Sequence, residues 1–328
     1  MRRRAFIAGL GAVAASSAAW PRAAGAQPRV PVIGFLGTGS PERATSLAAF
    51  RQGLSEAGYI DGRNVAIEFR WANNQLDRLP ELAAGLVHSG VAAIATPFST
   101  PGALAAKAAT TTIPVIFSMG GDPVRLGLVA SLSRPGGNVT GFSYLAVELT
   151  AKRLGLLHDM LPGAERIAVL VNPASPLAQP VAENAEAAAS VLGLKIEVVT
   201  AGTDDEIDAA FAGLAQKPAG ALMVGPDTLF SNRREQLVAL AARHMIPTIY
   251  PFRDDAEAGG LASYGASIRE EFRLVGLYTG RILNGEKPAE MPVMQPTKFE
   301  FVINSKTAKA LGIEVPPGLI AIADEVIE

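Results

Sequence analysis

Residues 30–38, VPVIGFLGT, form a short apolar run that ends in glycine and threonine. Such runs, rich in β-branched residues and bounded by Gly or Pro, predict a buried strand. Leu47, Phe50 and Leu54 follow at helical spacing, and Gly58 then supplies a helix-ending residue. Because a buried strand followed directly by an amphipathic helix is the unit of a parallel sheet, this stretch predicts an α/β fold.

The same alternation of strand and helix continues in two series along the chain. The strands of the first series are VPVIGFLGT, VAIEFRWA, VAAIATP and IPVIFSMG, and those of the second are RIAVLVNP, KIEVVTA, GALMVGP and IPTIYP. Since 328 residues suit two domains better than one core, we predict two doubly wound parallel-sheet lobes. We assign residues 27–141 plus 267–296 to lobe I, and residues 142–266 plus 297–328 to lobe II.

The first residues, MRRRAFIAGLGAVAASSAAWPRAAGAQ, combine a basic head, a modestly apolar middle and a small-x-small end. This pattern predicts an export signal over residues 1–26, and Arg3 and Arg4 match the twin-arginine type. An uncleaved membrane anchor is the alternative, but the apolar middle is short for a span. Cleavage leaves 25 basic and 31 acidic side chains, a net charge of -6, which does not favour nucleic acid or an anionic membrane.

Cysteine is absent from the sequence. Its absence excludes disulfides, thiolate metal sites and the lipid-modified cysteine that tethers some exported proteins. We therefore expect a protein without cofactor, metal or membrane anchor that diffuses in the periplasm, as a monomer or weak dimer.

The segment of residues 120–141, GGDPVRLGLVASLSRPGGNVTG, allows two interpretations. A phosphate-binding loop needs glycines directly between a strand and a helix, whereas Gly136 and Gly137 follow a helix-like apolar stretch and precede a strand. We therefore interpret the segment as part of a connection between two moving halves. The predicted hinge has three strands, near residues 139–142, 263–266 and 296–301.

Three stretches of the sequence resemble a known family. DPVRLGLVASLSRPGGNVTG, FRQGLSEAGYIDGRNVAIEFRWA and YTGRILNGEKPAEMPVMQPTKFEFVINSKTAKALGI are similar to the ABC transporter substrate-binding protein family, in the group that includes proteins assigned to tryptophan and tyrosine uptake. The resemblance spans nearly all of the chain after residue 26. It implies a type I periplasmic binding protein fold with three crossovers, a ligand between the lobes, and delivery to a membrane permease driven by a cytoplasmic ATPase.

Ligands of open parallel sheets bind beyond the carboxyl ends of the strands, where helix N-termini offer unpaired N–H groups. The loops at those ends therefore contain the candidate ligand-binding residues. In lobe I they are Thr38, Ser40, Phe98, Ser99, Thr100, Ser118, Gly120 and Asp122; in lobe II they are Asn172, Ser175, Asp227 and Tyr250, with Tyr264 near a crossover.

Each polar candidate has a structural alternative. Ser99 and Thr100 could hold a carboxylate at a helix N-terminus or simply cap that helix. Asp227 could pair with an ammonium group or serve as an N-cap, and Asp122 is better explained as a cap than as a ligand contact.

The aromatic and basic candidates also have more than one interpretation. Tyr250 and Phe252 could stack on an apolar part of the ligand, although one of them is expected in the core, and Tyr264 could instead pack at the hinge. Whether the basic side chains of Arg43, Arg125 and Arg253 reach the cleft or solvent does not follow from the sequence.

Catalysis is the weaker alternative. The sequence has no G-x-S-x-G, no H-E-x-x-H and no cysteine nucleophile, and His88, His158 and His244 fall near predicted helix ends. A ligand-sensing partner of a membrane receptor is another alternative. We predict a binding protein that closes two lobes around a small carboxylate, either an amino acid or an aromatic or apolar acid, with its acid end on Ser99 and Thr100 and its amino end on Asp227.

Overall fold

The computed structural model describes residues 30–41, 46–217 and 219–328. Residues 31–328 form one compact unit. The predicted signal sequence, with Arg3 and Arg4, lies outside the described residues, and so does Arg43. No helix in the described ranges has the length and apolar character needed to cross a bilayer.

Lobe I is built on a five-stranded parallel sheet. Its strands are β1 (Val32–Gly37), β2 (Ala66–Trp71), β3 (Ala93–Thr96), β4 (Val115–Met119) and β5 (Val139–Ser143), in the order β2-β1-β3-β4-β5. The connecting helices are α1 (Leu47–Glu56), α2 (Leu79–His88) and α3 (Thr100–Ala109). Strands β1, β3, β4 and β5 are buried almost throughout, as expected for a parallel sheet covered by helices on both faces.

Lobe II is built on a seven-stranded sheet. Its strands are β6 (Arg166–Val171), β7 (Lys195–Thr200), β8 (Ala221–Val224), β9 (Thr248–Tyr250), β10 (Ala262–Gly265), β11 (Glu300–Asn304) and β12 (Glu325–Ile327), in the order β12-β11-β10-β9-β8-β6-β7. Its helices are α4 (Thr150–Met160), α5 (Ala178–Leu192), α6 (Asp204–Gln216), α7 (Thr228–Asn232), α8 (Arg234–Arg243), α9 (Arg253–Glu257), α11 (Ser305–Ala310) and α12 (Pro317–Ile322). The prediction of two α/β lobes with parallel sheets is confirmed. The antiparallel pairing of β11 with β10, the short helices α7, α9 and α12, and strand β12 were not predicted.

Helix α10 (Ile268–Leu283) returns from lobe II to pack on α1 of lobe I. The two helix backbones touch through glycines: a Cβ at Gly276 would lie 2.1 Å from the carbonyl oxygen of Phe50, and one at Gly53 would lie 1.8 Å from that of Arg273. Because only glycine permits this approach, the contact anchors α10 firmly to lobe I.

The chain passes between the lobes at three places. The first follows β5, the second joins β10 to α10, and the third joins the end of lobe I to β11. Near the first and third, Phe142 forms a parallel bridge with Met294. The predicted lobe boundary assigns residues 142 and 143 to lobe II, but both belong to β5 in the lobe I sheet.

The segment of residues 120–141 differs from its prediction. It runs from the end of β4 to β5, and both strands belong to the same sheet, so the segment stays within lobe I. Its apolar part forms turns rather than a helix, with Leu128 and Val129 buried in the core and Gly127 at a φ of +69°. The expected helix was wrong because the apolar side chains anchor a loop to the core, and a left-handed glycine interrupts any helix there.

Candidate ligand site between the lobes

A cavity of about 400 Å³ lies between the two lobes. This volume falls in the range of sites for small molecules. The cavity is lined from lobe I by Phe35, Gly37, Thr38, Gly39, Ser40, Ser46, Trp71, Pro97, Phe98, Ile268 and Phe272, and from lobe II by Thr228, Ser231, Asn232, Arg234, Glu235 and Asp254.

The lobe I side of the cavity has an aromatic wall. Phe35 at β1 packs against Trp71 at the end of β2, with ring centroids 5.2 Å apart, and Phe272 of α10 lies 6.5 Å from Phe35. Phe98, in the loop after β3, completes the wall. These side chains give the ligand an apolar surface made of aromatic rings.

Phe98 has a strained backbone. Its φ is +55°, a conformation that bulky side chains rarely adopt. The hydroxyl of Ser118 on β4 holds it there by accepting a hydrogen bond from the Phe98 N–H at 2.8 Å. Strain that is fixed by the surrounding structure is typical of functional sites, and its effect here is to direct the loop toward lobe II.

Small hydroxyl side chains near the start of α1 form a polar part of the lobe I wall. Thr38 and Ser40 follow β1, and Ser46 is the N-cap residue of α1. The Thr38 hydroxyl is hydrogen-bonded to the Ser99 hydroxyl behind it. The first turn of α1 carries no acidic side chain, so the partial positive charge of the helix N-terminus remains available to an anion.

Lobe II contributes a polar and charged wall from α7, α8 and α9. Arg234 is oriented by two carboxylates, with Asp255 at 3.1 Å and Asp254 at 3.3 Å. Burial raises the pKa of Asp255 to about 6, although Arg234 partly opposes this shift. Glu235 is exposed and lines the cavity. The lobe II wall therefore presents charges of both signs.

The two lobes touch around the cavity. The Asn232 amide donates to Oδ1 of Asn74 at 2.7 Å, and the Thr228 hydroxyl donates to the Phe98 carbonyl at 3.4 Å. The rings of Phe98 and Phe252 meet edge to face, with centroids 5.0 Å apart. These direct contacts mean that the described structure has its lobes closed.

Three of the predicted ligand residues, Thr38, Ser40 and Phe98, line the cavity. Two others lie directly behind this wall. Ser118 supports Phe98 as described, and the Ser99 hydroxyl accepts a hydrogen bond from the Gly102 N–H at 2.9 Å, so it caps α3.

The remaining lobe I candidates lie outside the cavity wall. Thr100 is buried in the first turn of α3, and its hydroxyl has no hydrogen-bond partner. Gly120 packs against the side chains of Tyr144 and Ala146. Asp122 accepts hydrogen bonds from two backbone N–H groups of the following turn, at 2.8 and 3.2 Å, which is the capping role.

Asp227 is the N-cap of α7. Its carboxylate accepts from the Leu229 N–H at 2.8 Å and from the Asn172 amide at 3.1 Å, and Ser175 lies nearby, where it favours the ionised form of Asp227 and so lowers its pKa. Burial nevertheless raises its pKa. Asp227 and Asn172 border a small hollow beside the cavity, together with Thr38, rather than the cavity itself.

The two predicted tyrosines also lie elsewhere. Tyr250 is buried in the lobe II core, where its hydroxyl has no partner and burial raises its pKa. Tyr264 packs against Phe301 with centroids 6.3 Å apart. Arg125 is exposed, and Arg253 pairs with Glu257 at 2.6 Å outside the cavity.

Several cavity residues were missed by the sequence argument. Trp71 ends a predicted strand, so the rule that ligands bind at strand ends could have found it. Phe272 lies on α10 and Ser46 is the N-cap residue of α1, and the packing of these two helices brings both residues to the cavity. Thr228, Ser231 and Asp254 were missed because α7 and α9 were not predicted. Asn232, Arg234 and Glu235 begin a helix that the periodicity of residues 232–244 does predict, but its first turn was not linked to the site.

Within the described ranges, no cluster of His, Asp and Glu side chains is arranged to hold a metal ion.

A sequence profile of the ABC transporter substrate binding protein family matches residues 30–327. The chain is 30% identical over 266 residues to a tyrosine-binding protein of Clostridioides difficile (strain R20291), covering 81% of this chain and 76% of the relative. Among solved structures, the ABC domain of Streptococcus pneumonia in complex with L-Trp matches with a TM-score of 0.81 and 26% identity, covering 90% and 99% of the two chains.

A second solved structure allows the relative position of the two lobes to be compared. The ligand-free, open structure of a substrate binding protein with adhesive properties from Clostridium difficile covers 91% and 99% of the two chains with 28% identity, but with a TM-score of only 0.64. The lobes of this chain are thus arranged more as in the L-Trp complex than as in the open structure, in agreement with the direct contacts between them. The two lobes match the type I periplasmic binding protein fold, and the chain belongs to the ABC transporter substrate-binding protein family.

Proposed function

We propose that the cavity between the lobes binds an aromatic amino acid or a related aromatic acid, which the protein delivers to an ABC permease in the inner membrane. The observation that carries this proposal is the division of the cavity into an aromatic wall from lobe I and a charged, polar wall from lobe II. A small zwitterion with an apolar ring needs both, because burying its charges unpaired would be costly. The relatives described above as tyrosine-binding and L-Trp-bound support this ligand class.

The charged ends of such a ligand have candidate partners on opposite lobes. The carboxylate fits beside Ser40 and Ser46, where the N-terminus of α1 favours negative charge. An ammonium group fits beside Glu235 and Asp254 of lobe II. Ser99 with Thr100, and the carboxylate of Asp227, are the alternative partners predicted for these two charged ends, and mutation separates the two sets.

A direct binding measurement tests the proposal. Calorimetry on residues 27–328 with L-tyrosine, L-tryptophan, L-phenylalanine and benzoate should show saturable binding of at least one. At a ligand concentration of about 100 times Kd, the folded state should gain roughly 2.7 kcal/mol, visible as a higher melting temperature. If none of the four binds or shifts the melting temperature at millimolar concentration, the proposed ligand class is wrong.

We further propose that residues 1–26 export the folded protein through the twin-arginine route to the periplasm, where it acts as a monomer without a membrane anchor. Replacing Arg3 and Arg4 with lysine should leave the precursor in the cytoplasm, as measured by fractionation and immunoblotting. Undiminished periplasmic accumulation would refute this route while leaving the binding proposal intact.

A further inference from the structure

We propose that Trp71 is the residue by which the cavity selects a planar aromatic ring over a saturated one. The inference rests on the proposed function and adds to it the residue on which the ring of the ligand stacks. Trp71 lies at the end of β2, paired in register with Gly37 at the end of β1, and its side chain lines the cavity. It is thus placed at the strand ends, where ligands of parallel sheets bind.

The position of the indole depends on Gly37. A Cβ at Gly37 would lie 2.3 Å from two carbons of the Trp71 six-membered ring, closer than real contacts allow. Any larger residue at position 37 would therefore displace the indole. Glycine is not required here by its backbone conformation, since Gly37 lies within a regular strand with no positive φ. Gly37 creates the space that the Trp71 ring occupies.

Neighbouring rings hold the indole in place. Phe69, two residues earlier on the same face of β2, lies parallel to it within 5°, with centroids 6.0 Å apart. Phe35 packs against it at 5.2 Å and a tilt of 45°. A ring whose orientation is fixed before binding loses little entropy when a ligand ring stacks on it. The packing therefore favours planar π systems, which gain stacking energy beyond that of buried area.

Matched probe pairs separate ring stacking from hydrophobic burial. Benzoate and cyclohexanecarboxylate have the same carbon skeleton and carboxylate but a planar aromatic or a puckered saturated ring, and L-phenylalanine and L-cyclohexylalanine differ in the same way. In the parent chain 27–328, we expect the aromatic member of each pair that binds to have a Kd lower by a factor on the order of ten. Calorimetry measures these ratios without a spectroscopic label.

The composition of the chain supplies a second, site-specific signal. The sequence has two tryptophans, Trp20 and Trp71, and only Trp71 remains in residues 27–328. All tryptophan emission of residues 27–328 therefore comes from Trp71 in the cavity wall. Saturation with benzoate or L-phenylalanine should change the intensity or wavelength of that emission with the same Kd as calorimetry.

Three variants test the residue itself. Trp71→Leu and Gly37→Ala should lower the aromatic preference to about twofold or less, whereas Trp71→Phe should retain most of it. Tyr59→Leu removes a half-buried aromatic side chain of the same lobe outside the cavity, and it should leave the preference unchanged. Circular dichroism confirms folding, and Gly37→Ala, which leaves the indole in the chain but displaces it, keeps the test valid if Trp71→Leu fails to fold.

The outcomes distinguish this inference from the proposed function. Equal binding of the aromatic and saturated members by the parent, or an unchanged preference in Trp71→Leu, would overturn the role of Trp71 while ligand binding stands. If no probe of either pair binds and the four ligands named above also fail, the proposed function fails and this inference with it.

Discussion

The buried carboxyl of Glu271 should make the stability of the protein depend on pH. Glu271 lies on α10 and is 3% exposed, and its Oε2 has no hydrogen-bond partner among the described residues. Burial, with a smaller contribution from the neighbouring charge of Glu270, raises its pKa from 4.5 to about 8. The folded state therefore holds a proton on Glu271 at neutral pH that the unfolded state releases.

Nearby cations do not compensate this carboxyl. A hinge-side cavity of about 660 Å³ is bordered by Glu271, Arg281 and Lys298. Arg281 pairs with Glu286 at 2.6 Å, and Lys298 lies 3.9 Å from Asp324. Both cations thus have other acidic partners, which is consistent with a carboxyl that stays protonated.

The magnitude follows from the two pKa values. One pKa unit corresponds to 1.36 kcal/mol, so a rise from 4.5 to about 8 sets a ceiling of roughly 5 kcal/mol. The stability associated with the proton is fully present below pH 4.5 and is lost as the pH rises toward 8. Between pH 5 and pH 8 these two pKa values correspond to a loss of roughly 3.5 kcal/mol from the parent through this group.

Glu271→Gln isolates this contribution, because the amide keeps the shape of the protonated acid but does not titrate. Urea unfolding of ligand-free residues 27–328, followed by Trp71 emission at pH 5, 6, 7 and 8, gives the free energy of unfolding. The difference between variant and parent should grow by roughly 3.5 kcal/mol from pH 5 to pH 8 in favour of the variant. Asp255, whose pKa is also raised, to about 6, titrates in both proteins and cancels in the difference.

Glu290→Gln is the matched control, since it removes an exposed carboxylate of the same lobe that lies 3.7 Å from Lys287. Its difference from the parent should stay within about 0.5 kcal/mol across this pH range. Parallel pH profiles for Glu271→Gln and the parent would refute the reasoning, because they would mean that the Glu271 carboxyl is ionised in the folded protein.

Three further predictions follow from the packing and the closed lobes. Gly276→Ala places a Cβ against the Phe50 carbonyl, so it should lower the free energy of unfolding by about 1 to 3 kcal/mol. A loss below about 0.5 kcal/mol in urea unfolding would contradict the close contact between the two helices. Asp227→Asn should retain the cap of α7 and change the calorimetric Kd of the tightest probe less than about threefold, whereas a loss of about 30-fold would instead support an ammonium contact at Asp227. Small-angle scattering of residues 27–328 should show a smaller radius of gyration with the tightest probe than without it, and identical profiles at saturation would exclude lobe closure on binding.

Local sequence patterns are enough to predict the alternation of strands and helices and the two-lobed α/β class. These features follow from local periodicity, because each strand and each amphipathic helix carries its own apolar pattern. The rule that ligands bind at strand ends also led from the sequence to Thr38, Ser40 and Phe98, which line the cavity. Their positions are fixed by the ends of β1 and β3, which the local pattern already gives.

The rest of the site depends on contacts between residues that are far apart in the chain. The apolar residues of 120–141 suggested a helix, but burial of Leu128 and Val129 satisfies them in a loop, which local periodicity cannot distinguish. Phe272 reaches the cavity only because α10 crosses back to lobe I and packs on α1, more than 200 residues earlier in the chain. Asn232 of lobe II donates to Asn74 of lobe I, 158 residues earlier in the chain. Such contacts depend on backbone packing and on the relative position of the lobes, which no short stretch of sequence encodes.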